Sequence, residues 1–181
     1  MKKIVLLFLF FTTPLLSFSQ TQTLSSDTLH WRETKQLSWA DFKGKETTGA
    51  EKEQHVSMAM LGGFVKKNPL KPAIAEVTAV FDRKKSCVNK KEQSDNDLVY
   101  FQVMFNIYEL HARKLRKTVK ETKMGINPEK LFQEKYNAAI AGLDEELNEY
   151  KEETQSGNNI QAIKEWKEKI SKELEQLNAF K

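Results

Sequence analysis

The chain has 181 residues, 39% of them hydrophobic and 30% charged, with a formal net charge of +4. Its single cysteine, Cys87, excludes an intramolecular disulfide. Lys2 and Lys3 belong to a segment read below as removed, so the remaining balance is close to neutral and does not argue for nucleic acid.

The N-terminus has the build of an export signal. Met1-Lys2-Lys3 is basic, Ile4 to Phe11 is apolar, and Ser17 and Ser19 form a small-x-small site. The expected signal peptide spans 1–19. An uncleaved anchor is the alternative, but Thr12, Thr13 and Pro14 end the apolar run short of the ~20 residues a span needs. No cysteine follows the run, so a lipoprotein anchor is not supported. The expectation is an exported protein, periplasmic or extracellular, with no stable membrane anchor after cleavage.

Residues 20–28 are small and polar and read as a flexible lead-in, with one domain over 29–181. Leu29-His30-Trp31 reads as a short strand. In Leu37-Ser38-Trp39-Ala40-Asp41-Phe42-Lys43-Gly44, Trp39 and Phe42 are packing anchors, Asp41 caps a turn and Gly44 ends it. Residues 45–54 read as a loop. His55 to Val65 reads as a strand with Gly62-Gly63 as a bulge or a close approach. Ile74 to Asp82 alternates, with Ala75, Val77, Ala79 and Phe81 on one face. Cys87-Val88 reads as a last short strand, with Cys87 as a small core residue rather than a reactive thiol.

Leu98 to Lys117 reads as a long central helix. Leu98, Phe101, Phe105, Tyr108, Ala112, Leu115 and Val119 recur at steps of three and four. Its N-cap is expected at Asp95, Asn96 or Asp97. Glu109 and Arg113 are spaced i, i+4 and are expected as a surface pair worth a few tenths of a kcal/mol. The basic run from Arg113 to Lys117 is expected on a solvated helix face. Asn127-Pro128-Glu129 opens a second helix. After Tyr150 to Gly157 a third helix carries Ile160, Ile163, Trp166, Ile170, Leu174 and Leu177. Strands first and helices after give an α+β class: a small, mostly antiparallel sheet packed on the central helix, with two further long C-terminal helices.

Three of these stretches together resemble a secreted bacterial family, domain of unknown function DUF nine-twenty-two, related to zinc metallopeptidases. The first is the Leu-x-Trp-x-Asp-Phe-x-Gly stretch, kept in full from Leu37 to Gly44. The second is a helix of the form His-Glu-x-x-His-Phe-Asp-Ile-x-Glu-x-x-Ala-Arg-x-Leu. Phe105, Ile107, Glu109, Ala112, Arg113 and Leu115 match it, with Asn106 in place of the Asp. The third is Tyr-Asp-x-Glu-Thr-x-His-Gly, matched by Tyr150, Glu153, Thr154 and Gly157, with Lys151 in place of the Asp. The resemblance implies a zincin-like fold with a substrate cleft between a strand edge and the central helix.

The chain departs from that family where the chemistry lies. The positions of His, Glu and His hold Tyr100, Phe101 and Met104, and the third stretch has Ser156 for its His. Two His at i and i+4 bind zinc from one helix face, and the Glu between them polarises the metal-bound water. A phenol is a poor zinc ligand, Phe101 accepts no proton, and a thioether suits soft Cu(I) better. The expectation is a catalytically inactive relative with no zinc of its own, zinc being implied only for active relatives. Its old cleft would hold a peptide or protein ligand by edge pairing.

Two alternatives stay open. One is an active hydrolase with a rearranged site, for which His30, His55 and His111 remain beside the carboxylates, with His55, His111 and Glu153 as candidate cleft residues. The other is a copper protein using His55, Met58, Met60 and Met104, against the plainer reading of these methionines as core filler.

Overall fold

The structure is a computed structural model that describes residues 27–45, 56–65, 74–88, 93–122 and 127–181. Three strands, β1 (Thr28–His30), β2 (Met58–Val65) and β3 (Ile74–Asp82), form an antiparallel sheet in the order β1-β3-β2. Three helices follow: α1 (Asp95–Glu121), α2 (Pro128–Glu153) and α3 (Ile160–Gln176). Short 3-10 turns lie at Trp39–Asp41 and Asn178–Phe180. The class is α+β.

The alternation of β3 does what its pattern requires. Val77, Ala79 and Phe81 are buried against α1, and across the ladder Met60 and Met58 stand opposite Ala79 and Phe81. No bulge occurs at Gly62-Gly63, because the register runs unbroken through both. Gly62 is instead a close approach: a Cβ there would sit 2.9 Å from the Tyr136 ring of α2. The Tyr136 hydroxyl donates to the Met60 carbonyl oxygen at 2.7 Å, tying α2 to β2.

Two N-terminal expectations need correction. Of the segment expected as a lead-in, residues 20–26 lie outside the described residues, while the Asp27 carboxylate pairs with Lys84 at 2.6 Å and β1 begins at Thr28. Cys87 and Val88 are buried; among the described residues they add no strand to the sheet, Cys87 being a single bridge residue. Gly44 lies against them: its amide donates to the Ser86 carbonyl at 2.8 Å, leaving no room for a side chain.

α1 is capped one residue earlier than its acidic run suggests. Ser94 Oγ accepts from the Asp97 amide at 3.2 Å, and the Asp97 carboxylate accepts from the Ser94 amide at 3.2 Å and hydroxyl at 2.7 Å. The predicted apolar face is buried at Phe101, Phe105, Ala112, Leu115 and Val119 and half-buried at Leu98 and Tyr108, but Tyr100, Val103, Ile107 and Leu110 on other faces are buried too. A helix enclosed by a sheet on one side and two helices on the other has no wide solvent face over these turns. α2 opens as read, with Asn127 capping through its side chain and Pro128 in the first turn.

Candidate functional site

Tyr100 and Phe101 sit in the first turns of α1, where the sheet side and the helix side of the core meet. Phe101 faces the sheet side, 5.5 Å from the Phe42 ring and 6.4 Å edge-on to Trp39. Tyr100 faces α2 and stacks on Tyr150 at 5.1 Å. Tyr150 in turn meets Trp166 edge-on at 5.3 Å. Both motif-position side chains are buried, at 7% and 5% exposure. Met104, one turn on, is half-buried against the same core.

The turn from α2 to α3 closes over this corner. Thr154 is fully buried, and Gln155, Ser156 and Gly157 all have positive φ, at 50°, 53° and 98°. Gly157 lies on the Tyr100 ring, where a Cβ would come within 3.4 Å. Ser156 is exposed on the outside of the turn. Glu153 accepts from the Trp166 indole N–H at 2.6 Å. The fold therefore gathers Tyr100, Phe101, Glu153 and Ser156 at one corner, although the first two come from the start of α1 and the others from the end of α2 and the turn after it.

The corner is apolar where the motif that the sequence resembles is polar. Burial pushes the Tyr100 hydroxyl up from its ordinary value, so it does not supply an anionic oxygen to a cation. Among the described residues, no group of three or more His, Cys, Asp or Glu is placed to hold a metal ion. The side chains at these positions do not fit zinc.

His111 lies elsewhere, eleven residues along α1 from Tyr100, about 16 Å at the helical rise. It is buried, and its Nε2 is 2.7 Å from Glu146 Oε2 of α2. Lys114 and Lys169 approach the same carboxylate at 3.4 and 3.6 Å. Burial alone would raise the Glu146 carboxyl, but the His111 hydrogen bond and the Lys114, His111 and Lys169 charges outweigh it and hold it down to about 2. This is an electrostatic tie between three helices. His55 lies outside the described residues. His30 lies at the sheet, with Nδ1 3.3 Å from Thr78 Oγ1. Met60 is core, with Met58 and Met104 packed against it.

Glu109 and Arg113 are not a surface pair. They are 4% and 1% exposed, with Arg113 Nε 3.0 Å from Glu109 Oε1. Arg113 Nη1 donates to the Leu174 carbonyl at 2.6 Å, and its guanidinium lies 5.1 Å over the Trp31 ring. Arg116 also reaches Glu109, so only part of the basic run is solvated. Next to this network Asn106 Oδ1 accepts from the Trp31 indole and from Gln102, each at 2.9 Å. Gln102 accepts from the Leu37 amide at 2.7 Å. Gln102, Asn106, Glu109, Arg113 and Arg116 thus form a polar stripe that docks the N-terminal segment on α1. The i, i+4 spacing of Gln102 and Asn106 was visible in the sequence; their burial was not.

Asp41 is buried as well. Burial would raise its carboxyl, but the Ser38 hydroxyl and amide, with Lys35 and Arg83, hold it below the ordinary carboxylate range. No helix among the described residues is long and apolar enough to cross a membrane. No family model, no curated protein and no solved structure matches this chain.

Proposed function

We propose that the chain is an exported, catalytically silent relative of a zincin-like zinc peptidase, acting as a binding or scaffold module. The reading rests on the three residue stretches quoted above rather than on a match of the whole chain. The observation that carries it is the state of the motif positions. Tyr100 and Phe101 are sealed by Tyr150, Phe42, Trp39 and the Gly157 turn. A zinc ion needs about four donors, usually His, Cys or carboxylate. Here the motif positions carry a phenol, a phenyl ring and a thioether, and the Ser156 hydroxyl is exposed on the outside of the turn. Holding a dication there without compensating ligands costs several kcal/mol of desolvation. The ligand is an extended peptide or protein segment taken up by main-chain pairing.

Elemental analysis of the purified protein tests the silent site, together with a peptide-hydrolysis assay in added zinc. The expected result is no stoichiometric zinc, no metal-dependent turnover, and a melting temperature unmoved by chelator. About one tightly bound zinc per chain, lost on chelation with a clear fall in melting temperature, overturns the reading.

A further inference from the structure

Thr28 at the start of β1 pairs with Asp82 at the end of β3, so these two chain segments share one end of the sheet. The Arg83 amide donates to the Asp27 carbonyl there at 3.0 Å. The segment after Trp39–Asp41 joins the same place. The Lys43 amide donates to the Arg83 carbonyl and the Gly44 amide to the Ser86 carbonyl, each at 2.8 Å. Main-chain bonds thus hold side by side three stretches that are far apart in the sequence.

These stretches gather basic side chains around three aspartates. Asp27 meets Lys84 at 2.6 Å and Lys43 at 3.8 Å. Asp41 meets Arg83 at 3.2 Å and Lys35 at 3.6 Å, and Asp82 meets Lys85 at 3.6 Å. The pairs are layered. The three carboxylate side chains are recessed, between 4% and 27% exposed, and the four lysines stand outside them at 44% to 76%. Lys45, next after Gly44, is exposed as well. Among the described residues this end therefore carries six basic groups over three acidic ones, an excess of +3. What approaches it meets ammonium groups first, with the negative charge behind them.

We propose that this lysine-rich end of the sheet, with Lys35, Lys43, Lys45, Lys84 and Lys85 outermost, docks on the anionic headgroups of a lipid bilayer. Anionic leaflets attract basic groups held close to their surface, and the attraction grows with each one. The aspartates do not cancel it here, because they lie on the protein side of the lysines. They also hold those long side chains in one layer, which lowers the entropy lost on contact. The position of the patch on the chain favours a bilayer over a dissolved polyanion. Ten residues, 17–26, separate Leu16 of the apolar N-terminal stretch from Asp27, a reach of at most about 40 Å. When that stretch is in a bilayer during export, its tether draws this end of the domain toward the headgroups. The contact is electrostatic and reversible rather than an anchor. It stands whether or not the motif corner is silent.

Cosedimentation of the full chain with vesicles tests it, using phosphatidylglycerol-containing vesicles against pure phosphatidylcholine ones. The apolar run enters both kinds, so the reading is the difference between them and between variants. Wild type should prefer the anionic vesicles, and added salt should erase the preference. Lys43→Gln/Lys45→Gln/Lys84→Gln/Lys85→Gln should weaken anionic binding at least about tenfold. Lys117→Gln/Lys151→Gln/Lys164→Gln/Lys167→Gln removes the same charge from exposed helix positions and should leave binding nearly as in wild type. No preference for anionic vesicles overturns the proposal, as does unchanged binding by the patch variant. An equal loss in the helix variant also overturns it, since net charge alone would then be at work. Patch-dependent binding of dextran sulfate without a preference for anionic vesicles assigns the surface to an acidic polymer and overturns the bilayer reading. Should the fourfold patch variant lose its fold, Lys45→Gln/Lys85→Gln leaves the Asp27 and Asp41 pairs in place. It should still bind anionic vesicles at least about threefold more weakly.

Discussion

Tyr150 lies nearly flat on Tyr100, with 17° between the ring planes, and donates its hydroxyl to the Tyr100 carbonyl oxygen at 3.1 Å. The two residues are fifty positions apart, and their pairing locks the end of α2 onto the first turn of α1. Truncating Tyr100→Ala should cost about 3–5 kcal/mol, because it empties a site walled by Tyr150, Phe101 and Gly157. Tyr150→Phe keeps the stack and loses one buried hydrogen bond, so about 1 kcal/mol is expected. Urea denaturation of the two variants checks both values.

The Glu146 carboxyl is held at about 2 against an ordinary 4.5. A depressed folded-state value means that its contribution is fully present above about pH 4.5 and is lost as pH falls toward 2. The contribution is on the order of 2–3 kcal/mol. Glu146→Gln should be less stable at neutral pH and should show a flatter stability profile between pH 4.5 and 2. Denaturant midpoints measured across that range decide the matter. A variant that keeps the wild-type slope would mean that another carboxylate carries the acid sensitivity.

Glu109 faces both Arg113 and Arg116 inside the protein. Replacing it by Gln leaves two guanidinium groups short of their counter-charge, for which about 3–5 kcal/mol is expected. Combining Glu109→Leu with Arg113→Met removes both ends of the inner pair. The double variant should lose less than the sum of the single losses, with a coupling of about 1–3 kcal/mol. Additive losses would show that the pair is not energetically joined.

The features legible in the sequence were those set by local geometry. The alternation of β3, the Asn127-Pro128 helix start and the apolar spacing of α3 each follow from one chain segment and its own period. The features that were not legible depend on what arrives from elsewhere. Ser94 outcompetes three nearby residues as cap because Asp97 can answer it from N3, a reciprocity that a single-residue preference does not rank. Glu109 and Arg113 have the spacing of a surface pair, and only the arrival of Trp31 and Leu174 buries them. Glu146 carried no signal at all, since its partners lie on two other helices. At the motif corner, the sequence showed only which side chains stand at the positions of the resembled motif. The packing of Tyr150 and Gly157 on Tyr100 became visible only with the turn in place.

That turn also decides how the metal-site reading is best tested from the opposite direction. Tyr100→His, Phe101→Glu, Met104→His and Ser156→His together install the residues of the motif that the sequence resembles. The first and third are i, i+4 on α1 and project on one helix face. Ser156 has φ 53°, and histidine is among the residues that enter this region more readily than most, so the fourth change adds little backbone strain. Phe101 is the costly position. Its ring lies among Phe42, Trp39 and Tyr100, and a carboxyl placed there loses that packing and is poorly solvated. The apo form of the fourfold variant should therefore be less stable than wild type by several kcal/mol. Zinc should return part of that loss, in proportion to its binding, by mass action. Differential scanning calorimetry with and without zinc, beside zinc titration, reads both effects. A variant that folds but takes up no zinc would show that the backbone of this corner does not place residues 100, 104 and 156 around a common point, and the proposed descent from a zincin-like site would fail with it.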